Sequence, residues 1–185
     1  MKKRSLCWIM IAVMLFSVSS AFAAGSDQFA GMKTYPEGGY KVGRDFDAGE
    51  YVLLRTGSYD GTFEVSRDAN QTDMVFYDWF ETNAIITVLD GEYLKLSGCM
   101  AILAEDFYRE YSIKSEKNGT TLKVGYDIRA GEYKLAAAGN RTGYYMIYND
   151  SRRESVAAFD SFQNSTWVTV RSGQYIVLSN CHIDQ

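Results

Sequence analysis

Carboxylates are the side chains of this chain best suited to chemistry. Asp78 and Asp160 each stand two residues before a phenylalanine, and a pair of acids flanking one bond is the minimum machinery for glycoside hydrolysis. If one open cleft held both, the protein would be a glycosidase-like hydrolase. The simpler reading puts each aspartate at a strand end, bonded to backbone or tyrosine hydroxyl groups. Asp45, Asp47 and Glu50 form a second acidic group in the segment Gly43-Arg44-Asp45-Phe46-Asp47-Ala48-Gly49-Glu50-Tyr51. As calcium ligands they fall short, because the ion takes six to eight oxygens and so short a loop cannot supply them. A structural role fits better: Asp45 caps a turn, Gly49 supplies permissive backbone and Tyr51 starts a core strand.

Other reactive types are sparse. His182 is the single histidine, with no nucleophile or second metal ligand beside it in sequence. Cys99 and Cys181 lack the Cys-x-x-Cys spacing of zinc and redox sites. The chain has no Gly-x-Ser-x-Gly elbow, no His-Glu-x-x-His and no phosphate-cradling loop. The residue types point to no catalytic group, no metal and no cofactor, so the chain reads as a non-enzyme.

Aromatic residues are the remaining candidates. Tyr77 and Trp79 share one face of the segment Met74–Phe80, opposite Phe76 and Phe80, with Tyr59 as a neighbour in a preceding loop. Tyrosine and tryptophan on a β face can stack on sugar rings or anchor a protein contact. The competing reading is core and cross-strand packing.

The elements that would carry these residues are written twice. Residues 41–103 match residues 123–185 at a constant shift of 82, without a gap, with about a third of positions identical. Lys41-Val42-Gly43 through Gly49-Glu50-Tyr51 reappears as Lys123-Val124-Gly125 through Gly131-Glu132-Tyr133. Asp45, Gly49 and Tyr51 thus correspond to Asp127, Gly131 and Tyr133, whereas Asp47 becomes Arg129. Trp79 corresponds to Ser161 and Tyr77 to Phe159, so the tryptophan is not needed to build the unit. The second copy has its own aromatic set in Tyr144, Tyr145, Tyr148 and Trp167.

Each copy reads as short strands rich in β-branched and aromatic residues, with turn residues every eight to twelve positions. Asp90-Gly91 reads as a hairpin turn needing positive φ between Ile85–Leu89 and Tyr93–Leu96. Leu94 and Leu96, matched by Ile176 and Leu178, define a core face; Tyr93, Lys95 and Ser97 define a face that is at least partly wet. Residues 105–121 connect the copies, with a short helix within 104–115.

A basic start, Lys2-Lys3-Arg4, precedes an apolar run from Leu6 to Val18 and the small-x-small site Ala21-Phe22-Ala23. This is the pattern of an export leader over residues 1–23, too short to span a membrane. The expectation is a secreted or periplasmic protein that is not integral to a membrane. Removing three of the 19 basic residues with the leader leaves 16 against 23 acids, a formal −7. Such an acidic chain argues against nucleic acid as a partner. In an oxidising compartment Cys99 and Cys181 could form a disulfide if the copies brought them together; the other reading is two small buried apolar side chains.

The motif Val-Gly-x-Asp-[Ile/Phe]-x-Ala-Gly-Glu-Tyr, at Val42–Tyr51 and Val124–Tyr133, is followed about forty residues on by [Asp/Ser]-Gly-[Glu/Gln]-Tyr-[Leu/Ile]-x-Leu, at Asp90–Leu96 and Ser172–Leu178. Together they resemble a module of uncharacterised secreted bacterial proteins, where it occurs singly or in tandem. The resemblance covers nearly all of the chain after the leader and implies an extracellular β module, with no established activity or catalytic residue.

The expected architecture is all-β: repeats over 35–103 and 118–185, each a small antiparallel sandwich or barrel, packed together across a connection at 104–117. The alternative is one sandwich with a sheet from each copy. The expected function is non-enzymatic binding or scaffolding of an extracellular or envelope protein or glycan, at Tyr77, Trp79 and Tyr59. The alternatives are the Asp78/Asp160 hydrolase and a secreted inhibitor of another enzyme.

Overall fold

A computed structural model describes residues 29–114 and 118–184. The export leader expected over residues 1–23 lies outside the described residues. The first copy forms β1 (Thr34–Tyr35), β2 (Gly38–Lys41), β3 (Gly49–Arg55), β4 (Gly61–Ser66), β5 (Met74–Phe80), β6 (Asn83–Val88), β7 (Tyr93–Ser97) and β8 (Cys99–Leu103). A short helix α1 (Ala104–Glu110) follows. The second copy forms β9 (Thr121–Lys123), β10 (Gly131–Ala137), β11 (Gly143–Tyr148), β12 (Val156–Phe162), β13 (Ser165–Val170), β14 (Tyr175–Ser179) and β15 (Cys181–Asp184).

Each copy builds two antiparallel sheets of its own. The first has β1-β8-β3-β6 facing β2-β7-β4-β5, and the second has β13-β10-β15 facing β12-β11-β14-β9. The protein is thus two sandwich modules, not one sandwich sharing a sheet from each copy. From Gly31 onwards both belong to one compact unit. The shared sequence reproduces even irregularities: β4 and β5 shift register between Val65 and Ser66, and β11 and β12 shift between Ile147 and Tyr148. A bulge repeated at the same place is part of the design, since it re-aims the edge strand.

The core face follows the alternation in the sequence. Leu94 and Leu96 are buried on β7, Lys95 and Ser97 are exposed, and Ile176 and Leu178 are buried on β14. Module 1 adds an aromatic stack in which Phe46 lies 4.1 Å from Tyr35 and 4.2 Å from Tyr51 between ring centroids.

The hairpin expected at Asp90-Gly91 is not one. Gly91 has φ +86° and Gly173 φ +85°, and Glu92 N–H bonds Leu89 C=O at 3.2 Å, so the tight turn exists. Yet β6 pairs with β3 while β7 pairs with β2 and β4. The turn carries the chain across the core from one sheet to the other. Alternation sets which side chains face inward, and two strands facing each other across a core satisfy it as well as two strands side by side.

The disulfide is also corrected. Cys99 and Cys181 are both free and buried. Cys99 Sγ reaches Thr62 C=O at 3.5 Å and Cys181 Sγ reaches Tyr144 C=O at 3.1 Å, so each thiol is turned into its own module. Burial pushes both thiols up to about 11, the behaviour of packed, unreactive cysteine.

Helix α1 lies on β3 and β8. Phe107 is its buried anchor, and Arg109 pairs with Asp106 at 3.1 Å on the wet side. It closes at Tyr111, whose N–H bonds Phe107 C=O at 2.9 Å.

Candidate functional site

The repeated Gly-x-Asp…Ala-Gly-Glu-Tyr motif resolves into scaffolding. Asp45 accepts Lys41 N–H at 3.1 Å, and Asp127 accepts Lys123 N–H at 2.7 Å, closing the same turn in each module. Gly43 stands at φ +87° with Asp90 so close that a Cβ would fall 1.7 Å from its Oδ1, which only glycine allows. The Tyr51 and Tyr133 hydroxyls each donate at 2.9 Å to the carbonyl four residues earlier, Asp47 and Arg129. Gly49 and Gly131 begin β3 and β10 at these tyrosines. The calcium grouping dissolves as well: Asp45 is held by Arg44, whereas Glu50 points to the other module.

The two copies of the aspartate have unlike surroundings. The Arg44 guanidinium, then the Lys41 amide, hold Asp45 down at about 2. Asp127 also accepts Ile113 N–H at 2.6 Å and the Tyr108 hydroxyl at 2.8 Å, so the segment after α1 is tied to module 2 through it. Burial raises Asp127 above the usual carboxylate range and outweighs those bonds.

The joint between modules is held by charged residues, of which Glu92, Arg152 and Arg153 were not singled out in the sequence. Glu50 of β3 takes both the Lys123 ammonium and the Tyr175 hydroxyl. Lys123 sits 4.5 Å from the Tyr126 ring centroid and 5.7 Å from those of Tyr108 and Tyr175. At edge strand β6, the Asn83 carboxamide donates to Thr121 C=O at 2.7 Å and accepts Thr121 N–H at 3.3 Å. The side chain thereby does for edge strand β9 what a neighbouring strand would do. Thr120 Oγ1 donates to the same carboxamide oxygen at 2.5 Å.

The loop between β11 and β12 supplies the strongest contacts. Arg152 grips Glu92 with two nitrogens, at 2.9 and 3.0 Å, and reaches Thr87 C=O at 3.3 Å. Arg153 binds the outer oxygen of Asp78, with its guanidinium 5.4 Å from the Phe63 ring and 5.6 Å from that of Tyr148. Bidentate geometry and ring faces suit arginine, whose planar cation is weakly hydrated. The sequence did contain a signal: the aligned residues of the first copy are Asn70 and Gln71, so a neutral pair stands opposite an arginine pair in otherwise matched loops.

Beside Arg153 the modules leave a small cleft lined by Asp78, Trp79, Arg153, Thr120, Val177 and Ser179 among others. No protein-family model matches the chain, and no curated protein shows significant similarity to it. Function must therefore be argued from this geometry. Trp79 is 49% exposed and Tyr77 54%, on the outer face of β5 opposite Thr62 and Glu64. Tyr59 is 86% exposed in the loop before β4; of Tyr59, Tyr77 and Trp79, Trp79 alone lines the cleft. Asp78 lines the cleft and Asp160 does not. His182 lies in the β10–β15 ladder opposite Ala136.

Proposed function

We propose that this is an exported, non-enzymatic binding or scaffolding protein whose partner, an extracellular or envelope protein or glycan, meets the outer face of β5 at Tyr77 and Trp79. The observation that carries the reading is the half exposure of both aromatic rings on the outer face of β5, with Trp79 at the intermodule cleft. An indole left half in water forgoes burial worth roughly 1–2 kcal/mol, and the indole is not needed for the module, since the second copy has Ser161 there. The non-enzymatic reading is supported by Asp78: one oxygen accepts Trp79 N–H at 2.8 Å and the other is held by Arg153. The second carboxylate a dyad would need, Asp160, does not line the cleft.

Glycan-array binding and crosslinking to envelope extracts, each with wild type and Trp79→Ala, test this. The expected outcome is a bound species that weakens at least about tenfold in Trp79→Ala while the melting temperature moves by less than about 2 °C. Undiminished binding by the variant would remove the proposed surface. Hydrolytic turnover lost in Asp78→Asn would replace the reading with the hydrolase.

A further inference from the structure

In module 1 the Asp78 carboxylate and the Phe63 ring hold Arg153, and module 2 carries matching residues. In each sandwich the strands that end the two sheets on one side, β5 with β6 and β12 with β13, follow one another across a short turn. On module 1 this side is closed by the loop carrying Arg152 and Arg153, whose side chains are only 14% and 13% exposed. The seat for Arg153 is the Asp78 carboxylate and the face of Phe63, its direct neighbour across the β4–β5 ladder.

The counterparts in module 2 are Asp160 and Tyr145, again directly opposite across the β11–β12 ladder. Asp160 is turned as Asp78 is turned. Its Oδ1 accepts Ser161 N–H at 2.7 Å, as Asp78 Oδ1 accepts Trp79 N–H at 2.8 Å. The oxygen that receives Arg153 in module 1 is, in Asp160, exposed and without a partner among the described residues. Tyr145 replaces Phe63 as the ring, which keeps the cation–π face. Ala158 replaces Phe76 and leaves more room. Phe159, 73% exposed, and Trp167, 62% exposed, stand on the two strands that bound the opening.

The second arginine seat is not retained. Glu92, which holds Arg152, corresponds to Gln174, whose amide is already bonded to Arg171 N–H and Asn149. One guanidinium is accommodated, not two. Nor does a second copy of the chain provide it from the equivalent loops. Arg152 and Arg153 are consumed internally, and the corresponding loop of module 1 presents Asn70 and Gln71. The backbone of that loop is nevertheless the same device: Gln71 and Arg153 share φ near +60°, at 60° and 63°, each following an aspartate that caps the turn, Asp68 or Asp150.

We propose that the β12–β13 side of module 2 is a docking site for a partner polypeptide, which inserts one arginine side chain from a turn between Asp160 and Tyr145. This surface is separate from the β5 face at Trp79, so the two can fail independently.

The probe is a cyclised peptide with the sequence of residues 149–155, the loop that fills module 1, titrated into the intact protein and followed by amide shifts. Binding that perturbs Asp160 and Tyr145 is expected, together with a loss of roughly tenfold or more in Asp160→Asn. A peptide with alanine at the position of Arg153 should not bind, and one with lysine there should bind several-fold more weakly. Asp160 is exposed on an edge strand, so the variant's melting temperature should stay within about 2 °C of wild type. No saturable binding at several millimolar peptide overturns the proposal. So does binding unchanged in Asp160→Asn, or perturbation confined to Asp78 and Phe63.

Discussion

Asp45 and Asp127 occupy one position of the repeat, cap one turn, and are expected to titrate in opposite directions. The Arg44 guanidinium and then the Lys41 amide stabilise ionised Asp45 and hold it near about 2. A depressed carboxyl contributes stability above its unfolded value of about 3.9 and loses it as pH falls through the folded value. Asp127 is raised, first by burial between the segment after α1 and module 2. Its contribution is complete below the unfolded value and is lost as pH rises through the folded one. Urea unfolding over a pH series should show the stability gap between wild type and Asp45→Asn closing toward pH 2, while the gap for Asp127→Asn widens in acid. Slopes of the same sign would contradict the assignment. Arg152 is a second test at this scale. Arg152→Ala leaves Glu92, 7% exposed, without its bidentate partner, and should cost about 3 kcal/mol.

At the scale of elements, the joint rests on two sheet edges that would otherwise be open. An uncovered edge strand presents unpaired N–H and C=O groups to any passing chain. Edge strand β6 meets edge strand β9 through Asn83 and through Thr82 N–H to Gly119 C=O at 3.1 Å. Asn83→Ala would strip Thr121 of both backbone partners in a buried place, at a cost of about 2–4 kcal/mol. Faster amide exchange at Thr121, without change at distant β4, would mark the loss as local. Asn83→Asp should not rescue it, because a carboxylate accepts but cannot donate to Thr121 C=O. On the same sheet Ile85 and Val52 are fully buried on the side away from their own core, since α1 and module 2 cover it. Their counterparts Trp167 and Lys134 in module 2 lie on a face left more open.

At the scale of the whole molecule, every ion pair found between the modules joins a carboxylate of module 1 to a cation of module 2: Glu50 to Lys123, Glu92 to Arg152 and Asp78 to Arg153. The arrangement is directional, one module receiving and the other inserting. Modules of about 60 residues lie near the size at which a single core is marginal, so the joint should couple their unfolding. Calorimetry of the wild type is expected to show one transition with equal calorimetric and van't Hoff enthalpies. Arg152→Ala combined with Arg153→Ala should split it into two, with module 2 melting first, because its outer faces are less covered. A single sharp transition in the double variant would mean the remaining contacts at Asn83 and Glu50 suffice for coupling.

By itself the sequence determined the strands, the two-module plan, the inward faces and the turn role of Asp45 and Asp127. These properties are local: a period of two sets the core face, a positive φ demands glycine, and equal loop lengths reproduce equal folds. It also determined that Tyr77 and Trp79 share an outward face. The tertiary structure alone decided that β6 and β7 belong to different sheets and that Cys99 and Cys181 stay apart. It alone placed Arg153 against Asp78, 75 residues away, and Arg152 against Glu92, 60 residues away. Nothing local distinguishes Asp78 from Asp160, each followed by one residue and a phenylalanine. One is consumed and the other left open because a rigid module carries Arg153 to the first and no cation among the described residues reaches the second. That placement is set by the packing of whole surfaces, on which the pattern of any short segment is silent.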